Sequence, residues 1–139
     1  MKRARPFGVT LLALIVLSLS ALNLVRFGTA IAQWEVLAEF APTPGPLYIL
    51  LTGLAWVAVG LPLFAGLWLG RPLGRRAVLP ASLAYLAYYW LDRLLFQVRP
   101  PQSNWPFALA VTIAVLFFVS TVTFHPKSRN FFKRESHDR

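Results

Sequence analysis

The sequence predicts an all-α, polytopic membrane protein: a bundle of four transmembrane helices with a short amphipathic outer helix between spans 1 and 2. Hydrophobic residues make up 57% of the 139 residues, and charged residues only 14%. The apolar residues form long uncharged runs, whereas a soluble domain of this size would alternate apolar and polar faces. The lipid bilayer is therefore the expected surrounding of the chain.

Four stretches are long enough to cross about 30 Å of hydrocarbon. They are residues 7–25, 47–69, 77–98 and 105–124. Three of them carry no charge, and the third is interrupted by Asp92 and Arg93. The remaining residues are too few for a separate aqueous domain, so we expect one transmembrane domain that ends in a basic tail over residues 125–139.

The cations are distributed unevenly between the two faces of such a bundle. One face receives 11 of the 14 Lys and Arg residues, and the other receives Arg26, Arg93 and Arg99. The positive-inside rule then places both termini in the cytoplasm, as in a multi-pass protein of the inner (plasma) membrane. Because the cations flank the spans, where insertion requires them, nucleic acid is not an expected partner.

The start of the chain has some features of a cleavable signal peptide. A basic start and an apolar run precede Ala30, Ile31 and Ala32, which resemble a cleavage site before Gln33. The apolar run of 19 residues is longer than the usual signal core of about 7 to 15 residues. We therefore expect the first span to be retained, and cleavage before Gln33 is the alternative.

Residues 33–40 are predicted to form the short outer helix. Trp34 lies on one face of this segment, and Glu35 and Glu39 lie on another. Prolines then end the helix before the second span. The alternative is that the first helix continues through Gly28 and projects from the membrane.

The third span contains the candidate functional site. Asp92 lies about 9 Å inside the outer end of this span, where a charged group usually faces the bundle interior or water. Asp92 and Arg93 point about 100° apart on a helix, so each needs its own partner. The candidates for an outer polar network are Asp92, Arg93, Tyr85, Tyr88, Tyr89, Arg26, Glu35 and Glu39.

In this network Arg26 is the expected partner of Asp92, and Glu35 or Glu39 that of Arg93. Two interpretations remain open. The network is either a structural clasp, which membrane charges commonly form by pairing, or a small cavity that binds a ligand or an ion. The clasp is favoured because no further charged residue continues a path inward.

Catalytic signatures are missing from the sequence. Cysteine is absent, which excludes disulfides, thiolate metal sites and thiol catalysis within this chain. His125 and His137 lie at or beyond the end of the last span, so they cannot hold a haem between spans. We expect no cofactor, no metal site and no enzymatic activity.

Several glycines are candidates for helix packing. Gly53 and Gly60 lie seven residues apart on one face of the second span and are expected to pack inside the molecule. Gly66 and Gly70 have the small-xxx-small spacing of a helix contact, or are simply scattered near the end of the span.

The tail mixes cations with aromatic residues. Its candidate lipid-surface contacts are Lys127, Arg129, Phe131, Phe132, Lys133 and Arg134. They suit attraction to anionic lipid head groups together with insertion of the aromatic rings. The favoured alternative is a cluster that stops translocation, followed by a frayed end.

The opening RPFGVTLLAL, residues 5–14, resembles the first span of small uncharacterised four-span bacterial inner-membrane proteins. This resemblance implies a bacterial inner-membrane location and supplies no functional residues. With no catalytic constellation, the expected function is that of an accessory or scaffold subunit. Its expected partners are the bilayer and other membrane proteins. The alternative is a small transporter or ligand-binding membrane protein that uses the site around Asp92.

Overall fold

The chain is helical throughout the part that the structure describes. A computed structural model describes residues 5–40, 43–96 and 104–135, with side chains as far as residue 132. It contains helices α1 (Phe7–Ala32), α2 (Trp34–Phe40), α3 (Pro46–Trp68), α4 (Pro72–Phe96), α5 (Trp105–Phe124) and α6 (Pro126–Glu135). No strand occurs among these residues, and the all-α prediction is confirmed.

Three of the helices are long and apolar enough to cross a membrane. They are α1, α3 and α5. Helix α4 has 25 residues but is less apolar, because it includes Arg75 and Arg76 near its start and Asp92 and Arg93 near its end. The three apolar helices indicate an integral membrane protein.

The helix bounds differ from the predicted spans at two places. Helix α1 continues seven residues beyond residue 25, to Ala32, because Arg26 ends the apolar run without interrupting the backbone hydrogen bonds of the helix. Helix α4 starts at Pro72 rather than residue 77, so Arg75 and Arg76 are helical. Residues 97–98 of the predicted third span and the tail beyond residue 135 lie outside the described residues.

Most of the segment predicted as the short outer helix, residues 33–40, forms the separate helix α2. Helix α1 also continues through Gly28, as the alternative had it. A turn at Gln33 ends α1, and α2 follows at Trp34. Glu35 and Glu39 of α2 are exposed. Both features considered from the sequence, a prolonged first helix and a short outer helix, therefore occur together.

Helices α1 and α3 pack antiparallel with their backbones in close contact. A Cβ atom placed on Gly53 would lie 3.0 Å from the carbonyl oxygen of Asn23 and 3.0 Å from the backbone nitrogen of Phe27. A Cβ atom on Gly60 would collide with the Ser20 side chain. Small residues at these positions allow an approach that any larger side chain would prevent.

Glycines also shape the turn between α3 and α4. Gly70 has a φ of 67°, and the Arg71 backbone N–H donates to the Gly66 carbonyl oxygen at 2.8 Å, as in a Schellman ending. A Cβ atom on Gly74 would lie 2.5 Å from the Gly66 carbonyl carbon. Gly66 thus packs against Gly74 of α4, whereas Gly70 lies in the turn and does not share in the helix contact that the spacing of Gly66 and Gly70 predicted.

The half of the helical assembly that holds the start of α1 and the end of α3, named the inner half, contains the hydrophobic core. Its members come from α1, α3, α4, α5 and α6 and include Val9, Leu12, Leu67, Val78, Val119, Val122 and Phe132. Near this core the Arg75 side chain donates from Nε to the Thr123 carbonyl oxygen at 3.1 Å, in the last turn of α5. A cation there also interacts favourably with the negative end of the helix dipole.

The tail folds back onto this core as α6. Phe132 is only 3% exposed and Phe131 packs against the core, so their placement differs from the expected contact with the lipid surface. Lys127 and Arg129 are exposed. The side chains of Lys133 and Arg134 lie outside those that the structure describes. The apolar face of α6 is used within the chain because the inner ends of α4 and α5 offer apolar surface to it.

Replacing Gly74 by Ala should lower the stability of the protein, because the new methyl group would meet the backbone of Gly66 and Leu67. We expect a loss of about 1–3 kcal/mol, the usual cost of overpacking. Gly28→Ala is the matched control, since its Cβ would have no neighbour within 4 Å. Thermal unfolding in mild detergent measures the effect, and equal midpoints for the two variants would contradict this packing.

Candidate functional site

Asp92 is hydrogen-bonded to a tyrosine of the neighbouring helix. The Tyr48 hydroxyl donates to Asp92 Oδ1 at 2.9 Å. Tyr48 lies in the first turn of α3 and Asp92 near the end of α4, and the antiparallel arrangement of these helices brings the two residues together. The Tyr48 ring also packs on Phe96, with ring centroids 5.0 Å apart. This bond joins the outer ends of α3 and α4.

Arg93 finds its partner on its own helix. Its Nη1 donates to the Tyr89 hydroxyl oxygen at 3.1 Å, one turn earlier in α4. The side chain is 8% exposed, and its Nε is buried with no hydrogen-bond partner among the described residues. The guanidinium is therefore held in the bundle by a tyrosine rather than by a carboxylate.

The other two tyrosines pack on a tryptophan of α3. Tyr85 meets Trp56 edge to face at 4.8 Å, and Tyr88 lies 5.5 Å from the same ring. The Tyr88 hydroxyl is buried and has no hydrogen-bond partner in the described part of the chain. Aromatic contacts thus hold α3 and α4 together one to two helical turns away from the hydrogen bond between Tyr48 and Asp92, toward the end of α3 and the start of α4.

The structure brings together only part of the predicted network. Glu35 and Glu39 are exposed on α2, which packs against α1 and α3. In the described ranges no ion pair joins Asp92 to Arg26, or Arg93 to either glutamate; tyrosine hydroxyls take these places. The extension of α1 past Arg26 to Ala32, before α2 begins, provides a reason why the predicted ion pairs do not form.

A cavity of about 400 Å³ lies between the four long helices. Its walls are mostly apolar, with leucines and valines from α1, α3 and α5. The polar residues in its lining include Ser20, Asn23, Tyr85, Tyr89 and Thr112. Asp92 and Arg93 are not part of the lining, so the cavity is distinct from the charged pair considered from the sequence.

Asn23 is the polar residue that the sequence interpretation missed. It is 2% exposed, and its Nδ2 donates to the Leu19 carbonyl oxygen at 2.8 Å and weakly to the Tyr85 hydroxyl at 3.5 Å. Its Oδ1 has no partner among the residues described. A side-chain amide within an apolar span was the available signal, since a buried polar group requires partners.

Trp90 connects α4 to α5 through a hydrogen bond and an aromatic contact. Its Nε1 donates to Thr112 Oγ1 at 3.1 Å, and its ring lies 5.4 Å from that of Trp105. Thr112 in turn donates to the Ala108 carbonyl oxygen at 2.8 Å. These contacts join α4 to α5 along one wall of the cavity.

Within the described residues, no group of three or more His, Asp or Glu side chains is placed to hold a metal ion. No family model, no curated protein and no solved structure matches this chain. The geometry offers a set of partly buried hydrogen bonds at the Tyr48 end of α3 and the Asp92 end of α4, and beside it a mainly apolar cavity.

Removing the Tyr48 hydroxyl should destabilise the protein through Asp92. Tyr48→Phe leaves a half-buried carboxyl group without its donor, which we expect to cost about 1–3 kcal/mol. The measurement is a double-mutant cycle with Asp92→Asn, read by thermal unfolding in detergent. A direct bond predicts a coupling energy of about 0.5–3 kcal/mol, and strictly additive effects would rule it out.

Proposed function

We propose that the chain is a non-catalytic integral membrane protein whose four spans are α1, α3, α4 and α5, and that it acts as an accessory or scaffold subunit. The observation that carries this proposal is the pairing of both charged residues at the outer end of α4. Asp92 and Arg93 each bond to a tyrosine of the same chain. Charges that are bonded inside the molecule suit a structural clasp better than a path for ions or substrates.

The dimensions and neighbours of α4 support its assignment as a span. Its 25 residues correspond to a length of about 37 Å, enough to cross a hydrocarbon core of about 30 Å. It packs against α3 on one side and α5 on the other, and both of these are long and apolar enough to cross a membrane. Contact with two such helices favours the same environment for α4.

The cations support an orientation with both termini in the cytoplasm of a bacterial inner membrane. Arg5 lies 3.9 Å from the ring centroid of Trp68, at the end of α3, and Arg75 bonds to the end of α5. Lys127 and Arg129 of α6 are exposed in the same region. By the positive-inside rule this end is cytoplasmic, and its exposed cations suit contact with anionic lipid head groups.

The surface of α5 supports a role as a subunit. This helix packs against α4 and, at its inner end, against α1 and α6. Large apolar side chains remain exposed along its length, including Phe107, Ile113 and Phe117, which are 60–74% exposed. In a bilayer such a face meets either lipid or the helix of another protein, and we propose the latter as the contact with the partner.

A small transporter built around Asp92 is the alternative function. The bond from Tyr48 and the absence of Asp92 from the lining of the cavity make it the weaker candidate.

The four-span topology can be tested by cysteine labelling, because the natural sequence has no cysteine. Single cysteines at the exposed positions Glu35, Leu73 and Asn104 would be treated with a membrane-impermeant maleimide. We expect labelling of positions 35 and 104 from the periplasmic side of spheroplasts, and of position 73 only after the membrane is opened. Positions 73 and 104 reacting from the same side would exclude α4 as a span.

The role as a subunit predicts stable co-purification with another membrane protein. The full chain would be extracted in mild detergent, separated by size, and its companions identified by mass spectrometry. Phe117→Ala, on the exposed face of α5, should reduce recovery of the partner, whereas Leu14→Ala on the exposed side of α1 should not. A chain that migrates alone, or only with itself, would contradict the proposal.

A further inference from the structure

We propose that the cavity between α1, α3, α4 and α5 binds one neutral, lipid-like molecule: a single apolar chain or ring system whose head carries a hydroxyl or carbonyl group. This goes beyond the proposed role as a subunit, since it concerns a site inside the bundle rather than its outer surface.

The position of the cavity indicates that its ligand comes from the bilayer. At the inner end α1 and α5 touch, since a Cβ atom on Gly8 would lie 3.1 Å from Val122 Cγ2. Farther out, both helices line the cavity, which is partly open at the surface of the bundle. Ser20, in its lining, lies about 20 Å along α1, which places it near the middle of the membrane.

The walls of the cavity select an apolar body without charge. Leucine and valine side chains dominate the lining, and no Lys, Arg, Asp or Glu belongs to it. A charged head in such a place would lack a counter-ion and lose its hydration. The volume of about 400 Å³ lies toward the lower end of the range of small-molecule pockets, roughly 300–1,000 Å³, and so suits a single chain.

Asn23 supplies an acceptor for the head group. Its amide orientation is fixed, because Nδ2 lies 2.8 Å from the Leu19 carbonyl oxygen and an oxygen in that place would be repelled. Oδ1 is therefore the atom left without a partner, on a side chain only 2% exposed. A ligand hydroxyl that donates to Oδ1 would remove the cost of this unsatisfied acceptor.

Tyr89 supplies a donor in the same cavity. Arg93 donates to the Tyr89 oxygen, which leaves the Tyr89 O–H free to donate elsewhere. The neighbouring guanidinium charge polarises this hydroxyl and strengthens it as a donor. The lining thus includes an acceptor at Asn23, which suits a hydroxyl group, and a donor at Tyr89, which suits a hydroxyl or a carbonyl group.

Tryptophan fluorescence offers a direct test, because Trp56 lines the cavity. The purified full chain in detergent would be titrated with bromododecanol, bromododecane and bromododecanoate, whose bromine quenches a nearby indole. We expect saturable quenching by the alcohol, with an affinity on the order of fivefold above that of the alkane, as one net hydrogen bond would give. The carboxylate should bind more weakly than the alcohol.

Matched variants distinguish binding in the cavity from binding to the general surface of the protein. Ala81→Leu fills the cavity and should abolish saturable quenching, whereas Ala87→Leu, on the exposed side of the same helix, should leave it unchanged. The Asn23→Leu variant should still bind the apolar part of the ligand, but it should no longer bind the alcohol more tightly than the alkane. Equal quenching in Ala81→Leu and Ala87→Leu, or equal affinities for alcohol and alkane in the natural chain, would overturn the proposal. The comparison of Ala81→Leu with Ala87→Leu, and that of alcohol with alkane in the natural chain, test the proposal even if Asn23→Leu fails to fold.

Discussion

Hydrogen bonds with two tyrosines allow α4 to bring two charged residues among the packed helices. Away from water an unpartnered charge is costly, so Asp92 and Arg93 could not lie between apolar helices without them. Tyr48 reaches across from α3 to Asp92, and Tyr89 supports Arg93 from within α4. The packing of Tyr85 and Tyr88 on Trp56 continues the same interface inward. The proposed membrane crossing of α4, and with it the four-span architecture, depends on this set of contacts.

The packed helices have an inner half filled by the hydrophobic core and an outer half that contains the cavity. Gly53 allows α1 and α3 to touch through their backbones, and Gly66 and Gly74 do the same for α3 and α4. The inner half is filled by the hydrophobic core that α6 covers. Farther out, α1 and α5 border a cavity rather than each other. The tightly packed half suits a structural subunit, and the cavity gives the proposed lipid-like ligand its place.

The sequence predicts helices well here because long apolar runs admit little else in a bilayer. Helix α5 covers the same residues as the predicted fourth span, 105–124. The predicted span ends at residue 25 because the charge of Arg26 ends the apolar run, whereas α1 ends at Ala32, where its hydrogen bonds end, as in the alternative of a first helix that continues through Gly28. The partner of Asp92 could not be chosen from the sequence: tyrosine and arginine are both suitable, and only the antiparallel packing of α3 and α4 selects Tyr48. Likewise, amphipathicity shows that Phe132 needs an apolar surface but not whether lipid or the core provides it.

Amide hydrogen exchange of the full chain in lipid nanodiscs tests the central claim, that α4 lies in the membrane because its charges are bonded inside the bundle. The amides of residues 80–93 should then exchange as slowly as those of α3 and α5, and Tyr48→Phe should speed exchange in α4 before it does so in α3. Exchange across residues 80–93 in the natural chain as fast as that of the exposed helix α2 would contradict the claim.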